Sequence, residues 1–276
     1  MITTTTINEL TSGYLKNDPF KFKVIDNFFE SELVRPILFD INNLNSHKAN
    51  NIFIGSQFAT DELINNIVSL VKSASTQPKT MLFRGLDTEH NKFAFNEGLG
   101  GLLDSIFSYL VCDEFVDYIE KLTGITGLIR NDVNLFGAGI HRIHKGGFLG
   151  VHTDFNSYDH EVHGKLDRRI NLLIYLNPNW KDEYNGKLSL CDVTNKTVNY
   201  KISPILNRCV IFNTTVSSLH GHPEPLNVPD DICRHSIAVY YYTKNKNLNL
   251  DFEGYPKRGT VHYDIKDYDT TSTIYI

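Results

Sequence analysis

Cysteine is scarce in this sequence: Cys112, Cys191, Cys209 and Cys233 are the four, and no two stand at C-x-x-C spacing. That excludes a zinc knuckle and a disulfide framework, and it places the chain in a reducing, cytoplasmic setting. An excess of positive charge is missing too. Lys and Arg number 27 against 32 Asp and Glu, for a formal net charge of −5, and no dense Lys/Arg cluster supplies a local basic field; nucleic acid is not expected as a partner. No apolar run approaches the about eighteen residues of a membrane span. The opening M-I-T-T-T-T-I-N-E-L has neither a charged n-region nor an apolar h-region, so no membrane partner and no export signal are read from it.

What is present is an ordinary soluble composition, 41% hydrophobic and 12% aromatic, in a chain long enough to bury a sizeable core. Residues 1–17 are polar and Thr-rich and read as a flexible arm. F-K-F-K-V alternates apolar and Lys up to Val24, a half-buried strand pattern. Ser31 can cap a helix with Leu33, Ile37, Leu38 and Ile41 on one face. Thr60 can cap the next, with Leu63, Ile64, Ile67, Leu70 and Val71 as its stripe. A third helical region runs from Gly101 to about Leu122. These stripes read as core packing.

From about Val133 the period changes from helical to alternating. Strands are expected at Leu135 to Ile143, Phe148 to Asp154, Ile170 to Leu176, Lys187 to Cys191, Val198 to Ile202, Cys209 to Asn213 and Arg234 to Thr243, separated by Gly, Pro, Asn and Asp. Many short strands after a run of helices indicate a mostly β, α+β molecule: an antiparallel jelly roll braced by N-terminal helices. Neither an internal repeat nor a Pro/Gly/Ser-rich linker divides the chain. The expectation is one domain over 1–276, with a helical support region at 18–130, a jelly-roll catalytic core at 131–245 and a tail at 246–276. The tail ends in T-S-T-I-Y-I, which returns as an edge strand or lies on the surface.

Chemistry enters at G-G-F-L-G-V-H-T-D. In an extended strand, residues i and i+2 share a face, so His152 and Asp154 can hold one metal ion between them. Alone the pair is weak, since roughly one H-x-[DE] arises by chance in a chain of this composition. Its weight comes from a second imidazole in S-L-H-G-H-P. His220 and His222 compete for that role, and His220 is favoured because Pro223 marks the strand exit just after His222. Two imidazoles and a carboxylate leave one side of a metal open, which suits non-haem Fe(II) oxygenases and equally catalytic zinc. Arg234, opening the strand R-H-S-I-A-V-Y-Y-Y, bears on that choice: a buried guanidinium needs an anionic partner, and its fork fits a carboxylate. Alternation puts Arg234, Ser236, Ala238 and Tyr240 on one face and Asn171, Leu173 and Tyr175 on another. His141 and His144 are placed at the pocket mouth; His160, His163 and His235 read as solvated or hydrogen-bonded. Trp180 reads as a packed turn aromatic, and the Asp167, Arg168, Arg169 run as a solvated strand entrance.

Over roughly residues 140–243 the order of these parts resembles the prolyl-4-hydroxylase-like family of iron(II) and 2-oxoglutarate dependent oxygenases. The blocks are G-G-F-L-G-V-H-T-D-F-N, R-R-I-N-L-L-I-Y-L-N-P-N-W, N-G-K-L-S-L, N-R-C-V-I-F-N, H-G-H-P-E-P and R-H-S-I-A-V-Y-Y-Y-T. The resemblance implies a double-stranded β-helix (cupin-like jelly roll) with iron held by His152, Asp154 and His220. It implies that Arg234 grips the far carboxylate of 2-oxoglutarate and Tyr175 hydrogen-bonds it. Leu173 and Leu188 then wall the cosubstrate, and Tyr240 sits near the metal end. It further implies Fe(II), 2-oxoglutarate and O2, with ascorbate as an optional addition, and hydroxylation of an unactivated C–H. Two departures stand out: Arg142 and Ile143 occupy the positions where the family commonly has a Tyr, and the connection from His220 to Arg234 is long enough to contribute to a lid.

The function expected is a dioxygenase hydroxylating a prolyl or other amino-acid residue in a peptide or protein. The alternatives are a hydroxylase of a free amino acid or small metabolite, a zinc-dependent hydrolase, and a silent jelly-roll binding module.

Overall fold

The computed structural model describes residues 1–14, 18–44, 49, 51–55, 79–83, 92–96, 99–132 and 137–276. The helix expected from Thr60 lies outside the described residues. Two sheets face one another. The larger is nine-stranded. It takes β1 (Phe22–Ile25), β2 (Asn51–Gly55), β3 (Lys79–Phe83), β4 (Lys92–Phe95), β5 (Gly139–Ile143), β7 (Ser157–His160), β8 (Gly164–Tyr175), β11 (Arg208–Asn213) and β13 (Arg234–Lys244). Its order is β1-β11-β8-β13-β5-β4-β2-β3, with β7 pairing to β8. The smaller takes β6 (Leu149–Thr153), β9 (Leu188–Asp192), β10 (Thr197–Ile202), β12 (Leu219–His222), β14 (Val261–His262) and β15 (Ile274–Tyr275), in the order β14-β6-β12-β9-β10-β15.

Strand alternation sorts the larger sheet into two faces. Ile170, Leu172 and Ile174 of β8, Ile237, Val239 and Tyr241 of β13, and Cys209 and Ile211 of β11 point to the helices, where they pack with Ile37, Ile41, Leu103, Ile106, Phe115 and Ile119. Tyr175, Val210, Phe212 and Phe22 point the other way and meet Leu188, Leu190, Tyr200 and Ile202 from the smaller sheet. His152, His220 and Arg234, the candidate site residues, line the cavity on this second, inter-sheet face. The period-two pattern therefore fixes the site as well as the core, because a slip of one residue would turn either set to the wrong side.

Two findings differ from the sequence reading, and a third decides between the two courses it left for the tail. The N-terminal arm is not loose over its described part: α1 (Thr4–Thr11) is capped by Thr3, whose hydroxyl accepts from the Thr6 N–H at 3.0 Å, and Leu10 is buried. The helix is tied down because its Thr6 hydroxyl donates to the Phe28 carbonyl and the Lys23 ammonium of β1 donates to its Glu9 carbonyl. Second, the region expected to be helical support contributes three strands, β2 to β4, which extend the larger sheet outward from β5. These are short β-prone runs such as N-I-F-I-G and K-F-A-F, too brief to show a period of their own. Within the same region α2 (Ser31–Asn43) forms, and the single helical stretch after Gly101 is broken in two, α3 (Gly101–Leu110) and α4 (Asp113–Thr123). Third, the tail supplies both edges of the smaller sheet: β14 pairs with β6, placing His262 opposite His152, and β15 pairs in parallel with β10.

Candidate active site

His152 and His220 are Cα partners across β6 and β12, so two imidazoles project side by side from adjacent strands, with ring centroids 4.5 Å apart. Phe212 flanks the His220 ring at 4.7 Å from the facing sheet. Asp154 follows β6, and its carboxylate closes the set: Nε2 of His152 is 3.5 Å from Oδ1, and Nε2 of His220 is 3.5 Å from Oδ2. The three potential ligand atoms lie within 4.8 Å of one another, and all three residues are buried.

The hydrogen bonds around these groups settle which nitrogens face inward. Nδ1 of His152 lies 2.8 Å from the Gly150 carbonyl, and Nδ1 of His220 lies 3.0 Å from the Ser218 carbonyl. A carbonyl only accepts, so each Nδ1 carries the proton and each Nε2 presents a lone pair. Lone pairs therefore face carboxylate oxygens at 3.5 Å, acceptor against acceptor, an arrangement relieved by a cation placed between them. Atoms 3.5 Å apart can both reach one ion at bonds of about 2.0–2.2 Å. The donor set fits iron(II) or another divalent transition metal.

Asp154 is held from behind. Its Oδ2 accepts from Asn171 Nδ2 at 2.7 Å and pairs with Arg168 Nη2 at 3.2 Å; Asn171 Oδ1 in turn accepts from Arg168 Nε at 3.0 Å and from the Thr214 hydroxyl at 3.2 Å. Burial opposes ionisation of this carboxyl, but it is outweighed, first by the Arg168 guanidinium, and Asp154 is held well below the usual carboxylate range. Burial also pushes the His220 imidazole down to about 4, against the pull of Asp154.

Arg168 corrects the sequence reading. It is no solvated strand entrance but 2% exposed, with its guanidinium 3.6 Å from the Tyr240 ring centroid and 4.5 Å from that of Phe155. The cause is a bulge. β8 begins at Gly164, well before the expected start, and its register against β13 shifts so that Tyr241 faces Ile170 but Tyr242 faces Arg168. Skipping residue 169 reverses the parity, which is how residues three apart come to share the face of Asn171. Asp167 in the same run is also buried, paired with Asn245.

Away from the carboxylate, the cavity between the sheets is lined by Leu173 and Leu188, then by Arg234, Ser236, His222 and Lys92. Arg234 is 4% exposed, and its Nε donates to the Gly186 carbonyl at 2.9 Å. Among the described residues no carboxylate pairs with it, and burial lowers its pKa despite the nearby Tyr175. Gly186 is required: at φ +74° its backbone lies in the left-handed region, and a Cβ there would meet Leu226 at 2.6 Å and the Arg234 stem at 3.1 Å. The Tyr175 ring sits 4.8 Å from the guanidinium, and its buried hydroxyl has no hydrogen-bond partner among the described residues.

The positions that lack the expected Tyr have separate duties. Ile143 lines the cavity with His141, whereas Arg142 points to the helices, where its guanidinium donates to the Ile41 and Leu44 carbonyls at the end of α2 and to His235. His144 contacts Cys233 and Phe93, and His160 meets Asp132. His235 is buried and hydrogen-bonded, not solvated. The long connection before Arg234 buries Leu226 and Val228 against Ile143. Trp180 donates to the Asn185 carbonyl in its turn. Besides Arg168, sequence reasoning missed Lys92 and His262, whose ring is 5.6 Å from His152; each sits on a short strand far from the motifs.

Residues 138–242 match the family model described as the 2OG-Fe(II) oxygenase superfamily. Over that span the chain is similar to that superfamily. The family's description names iron(II) and 2-oxoglutarate, and the His, Asp and His donor atoms gathered in the cavity fit such a metal. Among solved structures, the chain resembles a prolyl hydroxylase from Trichoplax adhaerens in complex with a hypoxia inducible factor peptide fragment, at 19% identity and TM-score 0.51, over 87% of this chain and 88% of that one. It also resembles a Pseudomonas putida prolyl-4-hydroxylase at 14% identity and TM-score 0.51, over 87% of this chain and 98% of that one. These likenesses are of fold, a double-stranded β-helix core. No curated protein matches the sequence. The matched span holds His152, Asp154, Tyr175, His220 and Arg234, whereas Lys92 and His262 lie outside it. No helix among the described residues is long and apolar enough to cross a membrane.

Proposed function

We propose that the whole chain acts as one catalytic unit, a 2-oxoglutarate dependent hydroxylase whose metal is held by His152, Asp154 and His220. Its substrate is a prolyl or other amino-acid residue in a peptide or protein. The observation that carries the cosubstrate half of this reading is Arg234, a buried guanidinium on the same cavity as the donor set with no carboxylate partner among the described residues. A dicarboxylate long enough to reach from the metal to Arg234 would supply the missing anion. The likeness to two prolyl hydroxylases, one in complex with a peptide, favours a peptide substrate over a free amino acid.

When bound, iron(II) with 2-oxoglutarate and O2 supplies the oxidation of an unactivated C–H. The protein's residues do the rest. His152 and His220 present Nε2 because backbone carbonyls hold their Nδ1 protons. Asn171 and Arg168 fix the Asp154 carboxylate and keep it ionised. Leu173 and Leu188 give the cosubstrate an apolar wall, Tyr175 offers its hydroxyl beside Arg234, and Tyr240 stacks on Arg168 near the metal end.

The test is an anaerobic titration of the purified protein with Fe(II) and 2-oxoglutarate, following the weak visible charge-transfer band of the chelate. His152→Ala should lose the band and Arg234→Ala should weaken it strongly. Metal binding with no band on adding 2-oxoglutarate would overturn the cosubstrate assignment and favour zinc-dependent hydrolysis. A screen of proline-containing peptides against free amino acids, scored by mass for a gained oxygen, then separates the substrate classes.

A further inference from the structure

Two residues beyond His220, β12 carries a second imidazole that the mechanism above leaves idle. His222 is 2% exposed and lines the same cavity, yet neither ring nitrogen has a hydrogen-bond partner among the described residues. Buried polar groups are almost always satisfied, so one aimed into a cavity marks where a ligand atom belongs. The strand is pinched to hold it there. The register between β12 and β6 shifts after His220, and a Cβ at Gly221 would lie 2.8 Å from the Gly150 carbonyl oxygen and 2.9 Å from the Val151 Cα. Only glycine lets the two strands approach this closely, and both flanking imidazoles stay on the inner face.

The surroundings decide what His222 can bind. It is not among the three residues whose donor atoms cluster for a metal. An imidazole carries at least one N–H in either protonation state, and that buried donor calls for an acceptor; on a cavity shared with the Arg234 guanidinium the best acceptor is an anion.

We propose that His222 is a further cosubstrate-binding residue, donating its N–H to the far carboxylate of 2-oxoglutarate from the wall opposite Arg234. This rests on the cosubstrate reading of Arg234 given above. The carboxylate is thereby gripped from both sheets, by β13 of the larger and β12 of the smaller.

The experiment compares anaerobic binding of 2-oxoglutarate and of 2-oxopentanoate, which lacks the far carboxylate, to the Fe(II)-loaded protein. His222→Phe keeps the ring shape without a donor and should weaken 2-oxoglutarate about ten- to a hundredfold, the worth of a hydrogen bond to a charged group. It should leave 2-oxopentanoate and Fe(II) affinity unchanged. His222→Gln restores an N–H and should recover most of the loss; it also serves if the Phe variant does not fold. Equal losses for both acids, or none for 2-oxoglutarate, would overturn the proposal, as would a fall in Fe(II) affinity, which would assign His222 to the metal. Arg234→Ala separates the two layers of argument. If it leaves 2-oxoglutarate binding intact, the underlying reading fails; if it weakens binding and His222→Phe does not, only the present inference fails.

Discussion

The two ends of the cavity are built on opposite principles. At the metal end the charged side chain is answered by protein: Asp154 by Arg168 and Asn171, Asn171 by Thr214, and the two inner histidines by backbone carbonyls. At the far end, Arg234 has no carboxylate among the described residues, and the Tyr175 hydroxyl and both His222 nitrogens have no hydrogen-bond partner among them. One end is complete apart from a cation; the other is complete only with an anion. Folding alone can assemble the first, whereas the second carries an unmet desolvation cost until a ligand arrives.

That contrast predicts opposite stability changes. Asp154→Ala removes the partner of a buried guanidinium and should destabilise the metal-free protein by about 3–5 kcal/mol, with loss of metal binding, as read by chemical denaturation and Fe(II) titration. Arg234→Met removes a buried charge that has no counter-ion, and should raise metal-free stability by about 1–3 kcal/mol while 2-oxoglutarate no longer stabilises the protein. A destabilised Arg234→Met would break the comparison outright. Asn171→Ala sharpens the metal end: its 2.7 Å bond to Asp154 is lost, and Fe(II) affinity should fall about ten- to a hundredfold, measured by competition with a chelator. Smallest is Tyr175→Phe, which should raise the KM for 2-oxoglutarate about three- to tenfold with kcat little changed, since one neutral hydrogen bond is removed.

Much of this was legible in the sequence because strands advertise their faces. The alternation that put Asn171, Leu173 and Tyr175 on one face is the alternation in the structure, where Ile170, Leu172 and Ile174 take the other. The H-x-D spacing and Arg234 at a strand start could be read the same way. Arg168 could not, because strict alternation assigns it to the face opposite Asn171, and only the bulge beside it reverses that assignment. Lys92 was hidden for a different reason: β4 is four residues long and lies among helical stripes, so no period marks it as sheet. His262 reaches His152 through a two-residue strand, a tertiary pairing with no local signature. Sequence reasoning thus recovered what periodicity encodes and missed what register and long-range pairing decide.

The pairing of β14 with β6 also sets an order of assembly. Until Val261 and His262 arrive, the strand that ends just before Asp154 is a bare sheet edge, open to any extended segment that can hydrogen-bond to it. During synthesis the strands from β5 to β13 all emerge first, so the nascent chain passes through a stage in which the strand that carries His152 is exposed to mispairing. The polar, Tyr-rich tail is then less an appendage than the closing stitch of the seam, and trimming it back past Val261 would return the mature protein to that vulnerable stage.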